Sequence, residues 1–154
     1  MNTCEIHELG QLNTASENEI LMIWEEALRI SHDFFNDCDR EISIKKPRVR
    51  EDLHQLVVIC AYVENEIKGF AGVLGNELKM LYVHPKWQGQ GIGRSLLSYS
   101  KQNFKIQYVD VYEQNKQAVD FYERMGFTCY GKTSKRDTTG KHLNVLRMKI
   151  ALHD

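Results

Sequence analysis

Apolar positions change their period near residue 55, and the change divides the chain into two kinds of pattern. Before it, "ENEILMIWEEALRI" sets Ile20, Ile23, Trp24, Ala27 and Leu28 at helical spacing. That spacing predicts a helix from Glu17 to Ile30, with Ser16 as its candidate cap. Residues 4 to 9 read as a short first strand. Residues 31 to 52 read as irregular and polar, apart from "SHDFF". After residue 55 the runs shorten and become rich in β-branched and aromatic residues. "LVVICAYV" (56–63), "IKGFAGVL" (67–74) and "ELKMLYV" (77–83) predict three strands, with "ENE" as a turn and Pro85 ending the third. An amphipathic helix follows from about Gly91, with Ile92, Leu96, Leu97 and Phe104 on its core side. "IQYVDVY" (106–112) predicts a strand, 115–125 a helix, and "FTCYGKT" (127–133) and "HLNVLRMKI" (142–150) the closing strands. The order predicts a mixed α/β, or α+β, protein built around one sheet.

Composition narrows the picture without redirecting it. A length of 154 residues fits a single domain over 1–154. A formal net charge of −1 offers no electrostatic footprint for nucleic acid. No apolar run approaches the roughly 20 residues a membrane helix needs. The start, "MNTCEIHELG", lacks the basic-then-apolar pattern of a signal peptide. Cys4, Cys38, Cys60 and Cys129 are widely spaced, with no CxxC pair and no Cys/His cluster. That spacing predicts no metal site and no disulfide framework, but reduced, mostly buried thiols and a cytoplasmic protein.

Three of the ten glycines, Gly89, Gly91 and Gly93, fall within five residues, between a strand and a helix. A helix N-terminus presents unpaired N–H groups and a partial positive charge, so bare main chain there forms an anion cradle. A tight turn that merely needs positive φ would use glycine equally. The stretch is neither GxxxxGK[ST] nor GxGxxG at the start of a βαβ unit. Asp110, at a tempting distance, lies inside the strand pattern "YVDVY". A dinucleotide-binding NAD(P) oxidoreductase is therefore the weaker rival.

"LYVHPKWQGQGIGRSLL" resembles the acetyl-coenzyme A motif of the GNAT N-acetyltransferase superfamily, Q/R-x-x-G-x-G/A, at Gln88, Gly91 and Gly93, with V-x-P at Val83–Pro85. The second family motif is matched by "NKQAVDFYERMGF", Asn115 to Phe127. The resemblance implies a mixed, mostly antiparallel central sheet with helices on both faces and a splayed strand pair that holds acetyl-CoA. It implies cofactor contacts from Leu81, Tyr82 and Val83, from Gln88, Gly89, Gln90, Gly91, Ile92, Gly93 and Arg94, and from Asn115. Asn115 reads equally as a helix N-cap, and Arg94 as a solvated first-turn cation. Ala118, Phe121, Tyr122 and Met125 form an apolar stripe with Gly126 as its stop. Within it, Tyr122 matches the family's general acid, a phenol that stays protonated at neutral pH and can supply a departing thiolate.

By the strand period of two, Glu77, Lys79, Leu81 and Val83 share one face. Glu77 matches the position that some relatives use as a base; it also reads as a surface carboxylate beside a turn, and waters could relay the proton instead. In the resemblance, residues 20 to 55 set acceptor specificity, and His32 and Phe34 lie on the acceptor wall. A helix end with its aromatics in the core is the alternative for both. The implied activity is acetyl transfer to a primary amine on a small molecule, peptide or protein, by a monomer or homodimer without metal. An acyl-CoA sensor without turnover is the rival from outside enzymology.

Overall fold

Val57–Val63 forms β2, and most of its residues are buried. Its apolar run is continuous because helices cover both faces of the sheet it belongs to. Around it stand β1 (Glu5–Glu8), β3 (Glu66–Leu74), β4 (Glu77–Val83), β5 (Tyr108–Tyr112), β6 (Thr128–Arg136) and β7 (His142–Lys149). These elements come from a computed structural model that describes residues 4–152. The seven strands form one sheet in the order β1-β2-β3-β4-β5-β7-β6. Every neighbouring pair is antiparallel except β4 and β5, which run parallel. The mixed, mostly antiparallel sheet expected from the sequence is therefore present.

Alternate residues of β2 feed two separate cores, as the strand period requires. Ile59 and Ala61 join the core under α3 (Ile92–Phe104) and α4 (Lys116–Arg124), with Leu96, Leu97 and Phe127. Val58 and Cys60 join the core under α1 (Thr14–Ser31) and α2 (Cys38–Leu53), with Ile20, Trp24 and Phe70. Full burial of one such leucine or isoleucine contributes roughly 2 kcal/mol. The expected turn at 64–66 is a two-residue hairpin, with Glu64 and Asn65 at φ 53° and 67°. That conformation twists in the sense of the flanking strands.

Four expectations need correction. The stretch 31–52 is not irregular, because α2 fills most of it. Asp37 caps it by accepting from the Arg40 N–H at 3.0 Å, while Pro47 inside it and only a few buried residues (Glu41, Ile42 and Leu53) hide its helical period. Helix α1 begins at Thr14 with Asn13 as its cap; Ser16 is the reciprocal partner, two bonds of 2.9 and 3.1 Å closing a capping box. The thiols are not mostly buried: Cys60 is, Cys4 and Cys38 are half-buried, and Cys129 is exposed on β6. All four are free.

The fourth correction concerns β4. Gly72 pairs with Met80 and Val73 with Leu78, so Lys79 is one residue too many on that strand. Such a bulge shifts the phase of everything after it. Leu78, Leu81 and Val83 all pack towards the α3/α4 core, whereas Met80 and Tyr82 pack towards α1 and α2. Glu77, Lys79, Leu81 and Val83 therefore do not share one face.

Candidate active site

Strands β4 and β5 pair only at Glu77↔Tyr108 and Leu78↔Val109. Beyond those two pairs they diverge, and a cleft of about 640 Å³ opens at the divergence. The His84 N–H donates to the Lys68 carbonyl at 2.7 Å, on the β3 side. Main-chain directions alternate along a strand, so the polar groups of Tyr82 also face β3 and those of Leu81 and Val83 face the gap. Main-chain groups at such a strand edge require a partner, from protein, water or a ligand. The splay expected between these strands is thus a row of main-chain groups open to an extended amide-bearing chain.

At the end of β4 a 3₁₀ turn, Pro85–Trp87, leads into the glycine stretch. Gly89 and Gly91 have φ of 79° and 84°, and a Cβ built on either would meet nothing within 4 Å. Gly91 caps α3 without a side-chain hydrogen bond, and the first helical bond is Ser95 N–H to the Gly91 carbonyl at 3.0 Å. The N–H groups of Ile92, Gly93 and Arg94 therefore have no partner within the helix. Conformation demands the first two glycines, and all three leave the main chain bare. Gly93 is required by neither strain nor crowding, since a Cβ there would touch Phe121 at an ordinary 3.7 Å.

Gln88, Gly89, Gly91, Ile92, Gly93 and Arg94 line the cleft, whereas Gln90 is exposed and does not. The opposite wall is α4, whose Gln117, Asp120, Phe121 and Arg124 also line it. Gln117, Asp120 and Arg124 went unremarked in the sequence and Phe121 was read only as part of the apolar stripe, although a spacing of three, four and seven puts all four on one helical face. Free N–H groups, with Arg94 and Arg124 beside them, suit a diphosphate.

Tyr122 is buried, edge-on to Phe121 and Phe127 with centroids 5.2 and 5.6 Å away. Burial, and to a lesser degree the neighbouring Tyr82, pushes its phenol up from the ordinary value. Tyr82 is itself pushed up to about 12, by burial first and Tyr112 next, against a hydrogen bond with Trp24. Asn115 is buried and caps α4, its side chain accepting from the Ala118 N–H at 3.2 Å. The capping role therefore holds, and Asn115 also lines the cleft.

Adjoining the cleft lies a groove of about 330 Å³, walled by Glu77, Asp110, Tyr112, Lys135 and Val145. The two cavities share His32, Leu81, Tyr82, Asn115, Ala118 and Tyr122. Glu77 is ion-paired with Lys79, and Asp110 lies 3.7 Å from Arg147. His32 is buried among Phe34, Phe35 and Tyr112, with ring centroids 5.1 to 5.8 Å apart, and its Nδ1 has no hydrogen-bond partner among the described residues. Burial, reinforced by the Lys45 ammonium, brings its imidazole down to about 4, so it is neutral above that. Phe34 lines neither cavity and supports His32 from behind.

Of the residues 20 to 55 expected to shape the acceptor side, only His32 lines this groove, which Tyr112 and Lys135 also wall. Alternation in "YVDVY" places Tyr112 on the face of Asp110, but nothing local in "KTSKR" marks Lys135.

Comparison with known proteins agrees with this geometry. The acetyltransferase (GNAT) domain family matches residues 32–152. The chain is 30% identical over 143 residues, 92% of both chains, to a Salmonella typhimurium protein named peptidyl-lysine N-acetyltransferase YjaB. The solution structure of apo-form YjaB from Escherichia coli superposes with a TM-score of 0.81 at 25% identity, covering 98% of this chain and 99% of that one. A Thermoplasma acidophilum PaiA N-acetyltransferase in complex with coenzyme A shares the fold, with a TM-score of 0.71 at 18% identity over 96% and 98% of the two chains. The glycine turn thus serves no dinucleotide oxidoreductase, and turnover replaces the sensor reading: the chain belongs to the GNAT acetyltransferase family.

Proposed function

We propose that this acetyltransferase moves the acetyl group of acetyl-CoA onto the side-chain amine of lysine in a peptide or protein, using one domain over residues 1–154. The observation that carries the reading is the junction at Tyr122, where a cleft floored by bare main chain meets an adjoining groove that shares that residue. A lysine side chain is a flexible alkyl stem ending in a point charge, a shape that suits a narrow groove with apolar walls such as Val109, Val111 and Val145 and a charged rim. Support for a peptide acceptor comes from the relative named peptidyl-lysine N-acetyltransferase.

In this reading Gln88 to Arg94 hold the diphosphate, while the main chain of Leu81 and Val83 holds the pantetheine amides as a missing strand would. The acceptor arrives as ammonium near pKa 10 and first loses a proton, which Glu77 accepts through water. The amine nitrogen then forms a bond to the thioester carbonyl carbon, the C–S bond breaks, and Tyr122 donates its proton to the leaving sulfur. Tyr122 regains a proton from the product ammonium as it becomes a neutral amide. Burial that disfavours a phenolate disfavours the thiolate as well, so the proton passes between groups raised together.

The test is thiol release with acetyl-CoA and three acceptor sets: lysine peptides with blocked N-termini, peptides with a free N-terminus and no lysine, and polyamines. Mass mapping should place the acetyl group on the lysine side chain. Turnover confined to the other two sets would overturn the acceptor assignment.

A further inference from the structure

The five residues between β6 and β7, "DTTGK" (137–141), form a turn that reaches across the sheet to the loop after α1. Asp137 is buried. Its Oδ1 accepts from the Thr139 N–H at 2.8 Å, the Thr139 hydroxyl at 2.6 Å and the Lys141 N–H at 2.9 Å. Its Oδ2 faces the Asn36 N–H at 3.5 Å, a residue 101 positions earlier. The Asn36 amide donates to the Thr139 hydroxyl at 3.2 Å. The Lys141 ammonium donates to the Phe34 carbonyl at 2.7 Å. A carboxylate saturated by local N–H groups is a means of fixing a turn, as Asx motifs do. Here the same carboxylate and its neighbours also grip a second segment.

A parallel link runs through α2. Glu41 is fully buried and accepts from the Thr138 N–H. Its other oxygen lies 2.9 Å from the Lys45 ammonium, which sits over the rings of Phe35 and Tyr112 at 4.8 and 5.9 Å. Both routes end on the ring cluster of His32, Phe34, Phe35 and Tyr112. Of those rings, Tyr112 lines the adjoining groove, and His32 lines both that groove and the cofactor cleft. None of the turn's five residues lines either cavity. The turn therefore cannot act on an acceptor by contact, only through the wall it holds.

We propose that the Asp137–Lys141 turn is a positioning clasp for the acceptor wall. Asp137 and Lys141 fix the main chain of residues 34–36, and with it the His32 ring, in the shape that admits the acceptor's amine-bearing arm. None of the clasp's bonds touches the glycine cradle or α4, and His32, which both cavities share, is its one point of contact with the cofactor half.

Lys141 is exposed, so Lys141→Met leaves the core intact and removes one charge-assisted bond. That variant should raise the KM for a lysine peptide about fivefold, and Asp137→Ala about tenfold or more, with Asp137→Asn in between. The KM for acetyl-CoA and the dissociation constant for coenzyme A should not move. A merely structural role would instead raise both KM values in step with a fall in Tm. Amide hydrogen exchange provides a readout that needs no acceptor. In Lys141→Met the N–H groups of Phe35 and Asn36 should exchange faster, while those of Ser95 and Leu96 keep their protection. Unchanged exchange at 35 and 36, or an unchanged peptide KM in both variants, overturns the clasp. The acceptor arm rests on the lysine reading, and its failure is recognisable, because wild-type protein would then leave lysine peptides unmodified while the exchange result still decides the clasp.

Discussion

The two cavities that meet at Tyr122 are built by opposite means. The cofactor cleft draws on two short stretches of sequence, 81–94 and 115–124, joined by Ala27, Ser31 and His32, and its key surface is main chain: open N–H groups at the start of α3 and strand-edge groups on β4. The proposed acceptor groove draws side chains from His32 and from β4, β5, α4, β6 and β7, and its wall is held by bonds between residues about 100 positions apart. A surface made of backbone tolerates variation in most side chains and needs only glycine where φ is positive. A surface made of side chains changes with each substitution. One fold can therefore keep its cofactor and alter its acceptor.

Tyr122→Phe attacks the point where the halves join and should have the largest effect. The ring and its packing survive, while the donor is lost, so kcat should fall about 10²- to 10⁴-fold with coenzyme A affinity unchanged. Rapid-mix acetyl transfer and calorimetry with coenzyme A would together read it. An unchanged kcat across the pH range would remove Tyr122 from the chemistry.

Acid pH should expose the acceptor half next. The folded value of His32, about 4, lies below its ordinary 6.5. As pH falls through 6.5 the unfolded chain takes up a proton that the folded chain refuses. Stability is therefore complete above 6.5, declines towards 4, and then levels off. The loss attributable to this residue is on the order of 3 kcal/mol. Denaturant midpoints should show a shallower acid slope in His32→Phe than in wild type. Equal slopes would mean that the ring is solvated.

Gly91→Ala should produce the smallest of these changes and confine it to the cofactor half. At φ 84° a side chain costs about 1 kcal/mol or somewhat more, although nothing stands in its way. The KM for acetyl-CoA should rise several-fold while the peptide KM stays put. A rise in both would show that the two cavities are not independent.

How much of this could be read from the residues follows the same division. The cradle was legible because its parts are consecutive and its physics is local: an apolar strand, three glycines, an amphipathic helix. Tyr122 was legible within its helical stripe. Glu77 was assigned a face by simple alternation, and the bulge at Lys79 altered that, because a register shift depends on the partner strand. Helix α2 was missed since Pro47 and a charged surface mask its period, while its stability comes from the Asp37 cap and from burying Ile42 and Leu53. His32 and Phe34 could be picked out but not told apart; the structure sets one on the groove and the other behind it.

By itself, then, the chain's pattern of apolar periods and glycines determined a mixed α/β protein around one sheet and a bare main-chain turn at the start of a helix, since each of those is fixed by interactions among near neighbours. Tertiary structure alone decided that β4 and β5 part after two residue pairs, that two cavities open onto one tyrosine, and that the Asp137 turn grips the loop at Asn36. Those are matters of register and of closure over about 100 residues, and no local signal encodes which distant backbone a carboxylate will find.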